Sequence, residues 1–358
     1  MAVPAILFVT RKWAPAMGGM ETYCHRLTEE LAKAGDVEII ALPGQHDGSP
    51  PSALALLKFP FTILRRWLGR RRPPPDILHI ADMALWPVGL LKSGRTRVVL
   101  SAHGTDVSYP RRGGFKGRLY GAYLRLGSKF LRGAHVIANS AATQMAARES
   151  GWQRTHIVPL ATDIAGAAPT QPPRRSVLFA GRLVRQKGLS WFVENVLDAL
   201  PADITLEVAG TRWDSHEDAA LAHPRVTYLG RLAPRDLAKA YSNALCVILP
   251  NIERPNGEFE GFGLIACEAA AAGGIVLAAD CGGLRESVID GETGLLVPPG
   301  KPDAWRSAIT AVSNWNIADR TRFAHNAISR CGSHFSWDRV AKDTLKIYKT
   351  ARMPVVTS

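Results

Sequence analysis

Glu260 and Glu268, with seven residues between them in EGFGLIACE, are the pair whose type and spacing most suggest chemistry. Glu260 reads as a loop residue, and Glu268 lies about one turn inside a helix that begins near Gly263. A carboxylate accepts hydrogen bonds, so each can hold sugar hydroxyls. The helix start between them offers backbone N–H groups to a phosphate. Glu268 interrupts an otherwise apolar helix, LIACEAAAAG. A carboxylate there is costly unless paired, which favours a ligand role over an exposed helix edge. The same stretch loosely fits a dinucleotide fingerprint, Gly261-x-Gly263-x-x-Ala266 with Asp280 beyond the next strand. That fingerprint wants a tight turn straight off a strand. Here a long loop carrying Glu253, Glu258 and Glu260 separates Leu249 from Gly261, and its carboxylates would oppose a pyrophosphate.

Three further motifs stand where a strand gives way to a loop. GRLVRQKG, from Gly181 to Gly188, places Arg182 and Lys187 at a strand end where a pyrophosphate can sit. Arg grips phosphate oxygens bidentately and Lys acts as a compact charge, although a solvated basic loop is the plainer alternative. Gly18 and Gly19, in MGGME, let the backbone approach a ligand at a helix start. A tight loop with Glu21 complementing the helix dipole explains them as well. SAHGTD places His103 and Asp106 at the end of another strand, facing a cleft. Taken alone, a single histidine is more often structural than catalytic.

These residues need scaffolding. Apolar runs fit strands at Ile6–Thr10, Val37–Ala41, Ile77–Ile80, Val98–Ser101 and His135–Ala138, with helices at Met20–Ala34 and Ala141–Glu149. IAGAAPTQPPRR, residues 164–175, is rich in Ala, Pro and Gly and reads as a linker. The rhythm then restarts with strands at Val177–Ala180, Thr205–Ala209, Val226–Leu229, Cys246–Leu249 and Ile275–Ala279. Helices fit Leu189–Leu200, Pro234–Asn243 and Leu264–Ala272, and helical segments close the chain. Strands alternating with helices argue for parallel sheets covered on both faces. Two doubly wound α/β domains with a cleft between them follow, and ligands bind beyond the carboxyl ends of such strands.

Together the motifs resemble the retaining glycosyltransferases of the GT-B fold, family 4. The resemblance rests on GGME, HGTD, GRLVRQKG and above all EGFGLIACE, which matches the E-x7-E signature. AGTRWD, VTYLGRL, GGLRESVIDGETGLLVPPG and the closing FSWDRVAKDTLKIY add to it over nearly the whole length. It implies two Rossmann-like domains. An N-terminal acceptor- and membrane-facing domain takes residues 1–165, a linker 166–175, and a nucleotide-sugar domain 176–333. A final helix, within 334–358, crosses back to the first domain. It also implies roles. Gly18 and Gly19 lie against the donor diphosphate, and Arg182 and Lys187 neutralise it. Glu260 positions the transferred sugar, with main-chain contacts from Phe262, Gly263 and Leu264. Glu268 holds the ribose hydroxyls. His103 sits near the reacting oxygen, with Asp106 nearby. Retention would come from front-face attack, the leaving phosphate helping to take the acceptor proton. No metal is implied, since Arg and Lys meet the charge on the leaving group and no DxD motif is present.

Net charge is +13, from 44 Lys+Arg against 31 Asp+Glu. Most of the excess lies in the first half and would attract an anionic surface. Residues 52–72 carry six basic residues and no acidic ones, and residues 111–132 carry seven and none, both interleaved with aromatic and aliphatic side chains. Such clusters suit an anionic membrane surface, with Arg65, Arg66, Arg70, Arg71 and Arg72 as contacts. A solvated basic face, an acceptor-phosphate site and a nucleic-acid patch compete, the last without any supporting motif. Pro60 is expected to break the first cluster into two short helices. The five cysteines include no C-x-x-C pair, which argues against structural zinc and for a reduced compartment. The N-terminus puts its charges after the apolar stretch, the reverse of a signal peptide.

The expectation is therefore an enzyme moving a hexose from a GDP- or UDP-sugar to a glycan or lipid-linked glycan, as in cell-surface polysaccharide or lipopolysaccharide assembly. It needs no cofactor, has no nucleic-acid partner, and works at the cytoplasmic face of the membrane. A sugar-nucleotide epimerase or a phosphorylase is the nearest rival of the same fold. The phosphorylase would need pyridoxal phosphate on a lysine that nothing marks. An inactive membrane- or glycan-binding module is the rival from another class.

Overall fold

The computed structural model describes residues 4–16, 18–46 and 48–352. The chain divides into two compact units, one formed by Met1–Leu160 with Trp337–Ser358 and the other by Ala161–Ser336. The first unit holds β1 (Ile6–Trp13), β2 (Val37–Pro43), β3 (Ile77–Ile80), β4 (Arg97–Ala102), β5 (His135–Ala138) and β6 (Arg154–Ile157). They form one parallel sheet in the order β2-β1-β3-β4-β5-β6. The second unit holds β7 (Ser176–Ala180), β8 (Thr205–Ala209), β9 (Val226–Gly230), β10 (Cys246–Leu249), β11 (Val276–Ala279) and β12 (Leu295–Val297). Its order is β12-β11-β10-β7-β8-β9, again parallel. Both units are doubly wound α/β layers of the expected Rossmann-like kind. The central strands β3, β5, β7, β10 and β11 are buried at every residue, as a sheet covered on both faces requires.

In each sheet the winding reverses at one place, between β1 and β3 in the first and between β7 and β10 in the second. Loops leaving the two strands there diverge to opposite faces and leave a crevice at the carboxyl edge. GRLVRQKG leaves β7 and the loop carrying Glu260 leaves β10, so both open at the second unit's reversal.

Helices in the first unit are α1 (Gly19–Ala34), α2 (Ala53–Leu68), α3 (Thr105–Ser108), α4 (Gly114–Phe130) and α5 (Ala141–Glu149). The second unit carries α6 (Leu189–Asn195), α7 (Asp218–Leu221), α8 (Pro234–Asn243), α9 (Leu264–Ala271), α10 (Leu284–Ser287), α11 (Pro302–Ser313) and α12 (Ile317–His334). The closing α13 (Trp337–Arg352) belongs to the first unit. It packs on α1 and beside β4 and β5. Arg339 ties it down by donating to the Pro159 and Leu160 carbonyls at 2.7 and 3.0 Å. Residues 164–175 form no helix or strand and lie on the second unit, where the Arg174 N–H donates to the Asn243 carbonyl.

One expectation is corrected. Pro60 does not split α2, which runs unbroken from Ala53 to Leu68 behind a Ser52 cap on the Ala55 N–H. Pro60 faces solvent while Phe59 and Ile63 anchor the opposite side, so packing holds the helix through the missing hydrogen bond. Among the described residues no helix is long and apolar enough to cross a membrane.

Candidate active site

In the second unit the two loops at the sheet reversal deliver opposite charges to one point. Beyond β7 the chain makes a single 3₁₀ turn, Arg185–Lys187, and reverses at Gly188. Gly188 has φ +75°, and a Cβ there would lie 1.9 Å from the Pro250 carbonyl oxygen, so only glycine lets this loop close onto the one beyond β10. Lys187 is thereby buried and forms an ion pair with Glu260. The Asn251 amide also donates to the Glu260 carboxylate, at 3.3 Å. Burial pushes the Glu260 pKa up, but Lys187, Asn251 and the more distant Arg182 outweigh it and hold the carboxyl below its usual range. Glu260 is therefore ionised at neutral pH.

Glu268 lies on α9 within the field of the same lysine. Burial raises its pKa, and Lys187 and the Tyr241 hydroxyl offset this only in part, so it titrates above the usual range. The two glutamates thus share one cation, in contact with Glu260 and at longer range from Glu268. Between them Gly263 caps the start of α9 at φ +87°, a backbone conformation that favours glycine, with the Leu284 side chain packed against it. Phe262 points into the core and meets Phe335 edge-on at 6.3 Å, so only its main chain is available to a ligand. Leu264 is the first residue of α9.

Arg182 is exposed and stacks over the Trp213 ring at 5.7 Å. The loops carrying the two residues are joined by the Leu183 N–H to the Thr211 carbonyl at 2.9 Å and the Asp214 N–H to the Leu183 carbonyl at 3.1 Å.

The first unit gathers a different set at its own reversal. Arg11, on β1, pairs with the buried Asp82 just beyond β3 at 2.5 Å. Asp82 also caps the next turn by accepting from the Ala84 N–H at 2.8 Å. His103 follows β4. Its ring bonds to the Ala81 backbone, while its Nε2 is buried with no partner. Burial lowers its pKa to about 4, against the pull of Asp82. A neutral imidazole with one nitrogen engaged leaves the other as an acceptor. Asp106 accepts from the His103 N–H at 2.8 Å and so shapes the turn that carries the histidine. Burial and the neighbouring Asp82 raise its pKa to about 7.

The His103 ring meets Tyr23 edge-on at 4.7 Å. Tyr23 lies on α1 one turn after Gly18 and Gly19, which form the helix start. Its hydroxyl bonds Ser101 at 2.7 Å, Ser101 bonds His79 Nε2 at 2.7 Å, and His79 Nδ1 bonds Tyr348 of α13 at 2.5 Å.

The structure therefore brings Lys187, Glu260, Glu268 and Arg182 together in one unit, and His103 with Asp106 in the other. Asp82, Arg11, Asn251, Tyr23 and Tyr241 join these clusters without having been singled out from the sequence. Asn251 could have been found, since it lies two residues beyond a strand at a carboxyl edge, in the same loop as Glu260. Among the basic-cluster residues, Arg70 pairs with Glu38 at 2.8 Å and Arg72 with Asp36 at 3.1 Å, both acids belonging to or bordering β2.

Comparison with known proteins matches residues 17–165 to the model described as Glycosyltransferase Family 4 and residues 174–314 to Glycosyl transferases group 1. An uncharacterised glycosyltransferase of Methanocaldococcus jannaschii is 31% identical over 188 residues, covering 51% of this chain and 46% of that protein. The match thus spans about half the length of that relative. The alpha-maltose-1-phosphate synthase of Mycolicibacterium smegmatis is 25% identical over 395 residues, covering 96% of this chain and 98% of that one. Among solved structures, Anabaena HepE in complex with UDP and glucose superposes with a TM-score of 0.72 at 19% identity, covering 97% of this chain and all of that one. The last likeness is one of fold.

Proposed function

From a chain that carries a Glycosyltransferase Family 4 domain followed by a Glycosyl transferases group 1 domain, we propose a retaining, metal-independent hexosyltransferase that uses a nucleotide-diphosphate sugar. The observation that carries the reading is the Lys187–Glu260 pair at the reversal of the second sheet, with Glu268 and Arg182 in its field. A nucleotide sugar suits this arrangement because it brings both complements at once. Its diphosphate offers oxygens to Lys187 and Arg182, and its sugar hydroxyls donate to Glu260 as the lysine turns to phosphate. Phosphate alone would take the lysine and leave a buried carboxylate unpaired, which is costly.

As the anomeric C–O bond breaks, negative charge grows on the leaving diphosphate. Lys187 and Arg182 stabilise that charge in a partly buried setting, where such contacts act most strongly. No metal step is required. Glu260, ionised, orients the sugar, and Glu268 takes the ribose hydroxyls. His103, neutral with an accepting Nε2, holds a substrate hydroxyl. Front-face attack with retention follows, the acceptor proton passing to the leaving phosphate. HepE's complex with UDP and glucose supports a UDP-sugar, with a GDP-sugar as the alternative. The acceptor is a glycan or lipid-linked glycan at the cytoplasmic membrane face.

The test is a thermal-shift screen of UDP-, GDP-, ADP- and dTDP-sugars on the wild type and on Glu268→Ala. Ligand at 100 times its Kd adds about 2.7 kcal/mol. One nucleotide class is expected to stabilise the wild type and not the variant. No shift with any of them overturns the donor reading.

A further inference from the structure

We propose that the face formed by α2, the 3₁₀ segment Met83–Leu91 and α4 is a docking surface for an anionic lipid bilayer, held by inserted apolar side chains and not by arginines alone. This deepens the membrane reading given above and rests on it for its partner class.

Two helices of the first unit expose the wrong residues for a face in water. On α2, Leu54, Leu57, Phe61, Leu64 and Leu68 are exposed, Leu57, Phe61 and Leu68 by about three-quarters of their surface. Their spacing of three and four places them on one stripe, opposite the buried Phe59 and Ile63. On α4, Phe115, Leu119, Leu126 and Phe130 are exposed in a second stripe, opposite the buried Gly117, Leu124 and Ser128. The segment between the two helices is common to both, since α2 and α4 each pack on Met83–Leu91. Tyr123 of α4 donates to the Ala84 carbonyl at 2.6 Å, and Trp86 stacks on Phe130. Leu90 of that segment is also exposed. Scattered exposed apolar residues need no explanation, but a contiguous set on adjoining elements does.

Charge selects the occupant. Neither helix contains an acidic residue, and basic side chains edge both stripes, Lys58 and Arg65 on α2, Arg118, Arg125 and Lys129 on α4. Two copies of such a face would repel, so a second copy of the chain does not cover it. An anionic bilayer supplies what both parts need, acyl chains for the stripes and headgroup charge for the flanks. A basic cleft of about 410 Å³, lined by Arg125, Lys129 and Arg132 with Trp152, opens at the end of α4 and suits a headgroup phosphate. Arg70 and Arg72 are held by Glu38 and Asp36 of the protein itself, so the contact passes from them to the leucines and phenylalanines.

The test is sedimentation of the full chain with phosphatidylcholine vesicles, plain or with phosphatidylglycerol added. The wild type is expected to bind the anionic vesicles at least about tenfold more tightly, and to keep part of that binding in high salt. The Leu57→Ser/Phe61→Ser variant is expected to lose about tenfold and to become fully salt-sensitive, and Arg72→Gln to change little. Should the double variant misfold by near-ultraviolet circular dichroism, Phe115→Ser/Leu119→Ser takes its place. Wild type that stays in the supernatant, or serine variants that sediment like wild type, overturn the proposal. So does a wild-type dimer in light scattering that the serine variant abolishes. The nucleotide-sugar thermal shift on the same preparation reports the donor site separately, so loss of one result leaves the other standing.

Discussion

Lys187 is the residue on which the donor half depends. Lys187→Met leaves Glu260 buried with Asn251 as its side-chain hydrogen-bond donor among the described residues and Arg182 at longer range, and is expected to cost about 3–5 kcal/mol of stability. Adding Glu260→Gln removes the stranded charge. Urea melts should then show most of the stability restored, while the nucleotide-sugar shift stays lost. Acid has a predictable effect in the first unit. Burial lowers His79 to about 3 and His103 to about 4, and burial with His156 lowers His135 to about 4. Between those values and the ordinary histidine range the unfolded chain binds more protons, so stability falls as pH drops from about 6.5 toward 4. Asp106, raised to about 7, acts in the opposite sense, since its folded form keeps a proton that the unfolded form releases. Asp106→Asn should therefore steepen the loss between pH 6.5 and 4, read as urea midpoints against pH. Glu260, Glu268, Arg182 and Lys187 were legible in the sequence because each lies in a local motif. Asp82 and Tyr241 were not, because what gives them meaning is distant in the chain. Arg11 is 71 residues from Asp82, and Glu268 is on a different helix from Tyr241.

At the level of elements, the loop beyond β7 is fixed by Gly188. Alanine there meets both a positive φ and the Pro250 carbonyl, and should cost at least about 2 kcal/mol in a urea melt. Gly300, with φ +65° and open space around it, is the control, and Gly300→Ala should cost only about 1 kcal/mol. Most strands could be read from their apolar runs, and β3, β5, β8 and β10 fall on the expected residues. Of the four edge strands, β2 and β9 could be read and β6 and β12 could not. In β6, RTHI, no residue is fully buried, and β12 has three residues of which only Val297 is. An edge strand, paired on one side only, can be as polar as RTHI or as short as LLV, and neither leaves a run long enough to read. The Pro60 error has the related cause that tertiary anchoring overrode a local breaker.

At the scale of the whole molecule, the second unit is continuous in sequence and the first is not. Residues 161–336 expressed alone should give one cooperative melt, whereas a chain stopped after Ser336 should retain that transition and lose the first unit's. Limited proteolysis of the shortened chain should cut within residues 4–160 first. The physical reason is the cover that α13 supplies: without it His79 loses Tyr348, and the side of α1 that α13 covers opens to water. A consequence follows for biosynthesis. The first 160 residues leave the ribosome early, but their sheet is not closed until α13 emerges, roughly ten to thirty seconds of translation later. Throughout that interval the nascent first unit is unfinished while the second can already fold. A premature stop codon near the 3′ end of the message would thus spare the later-made unit and disable the earlier-made one.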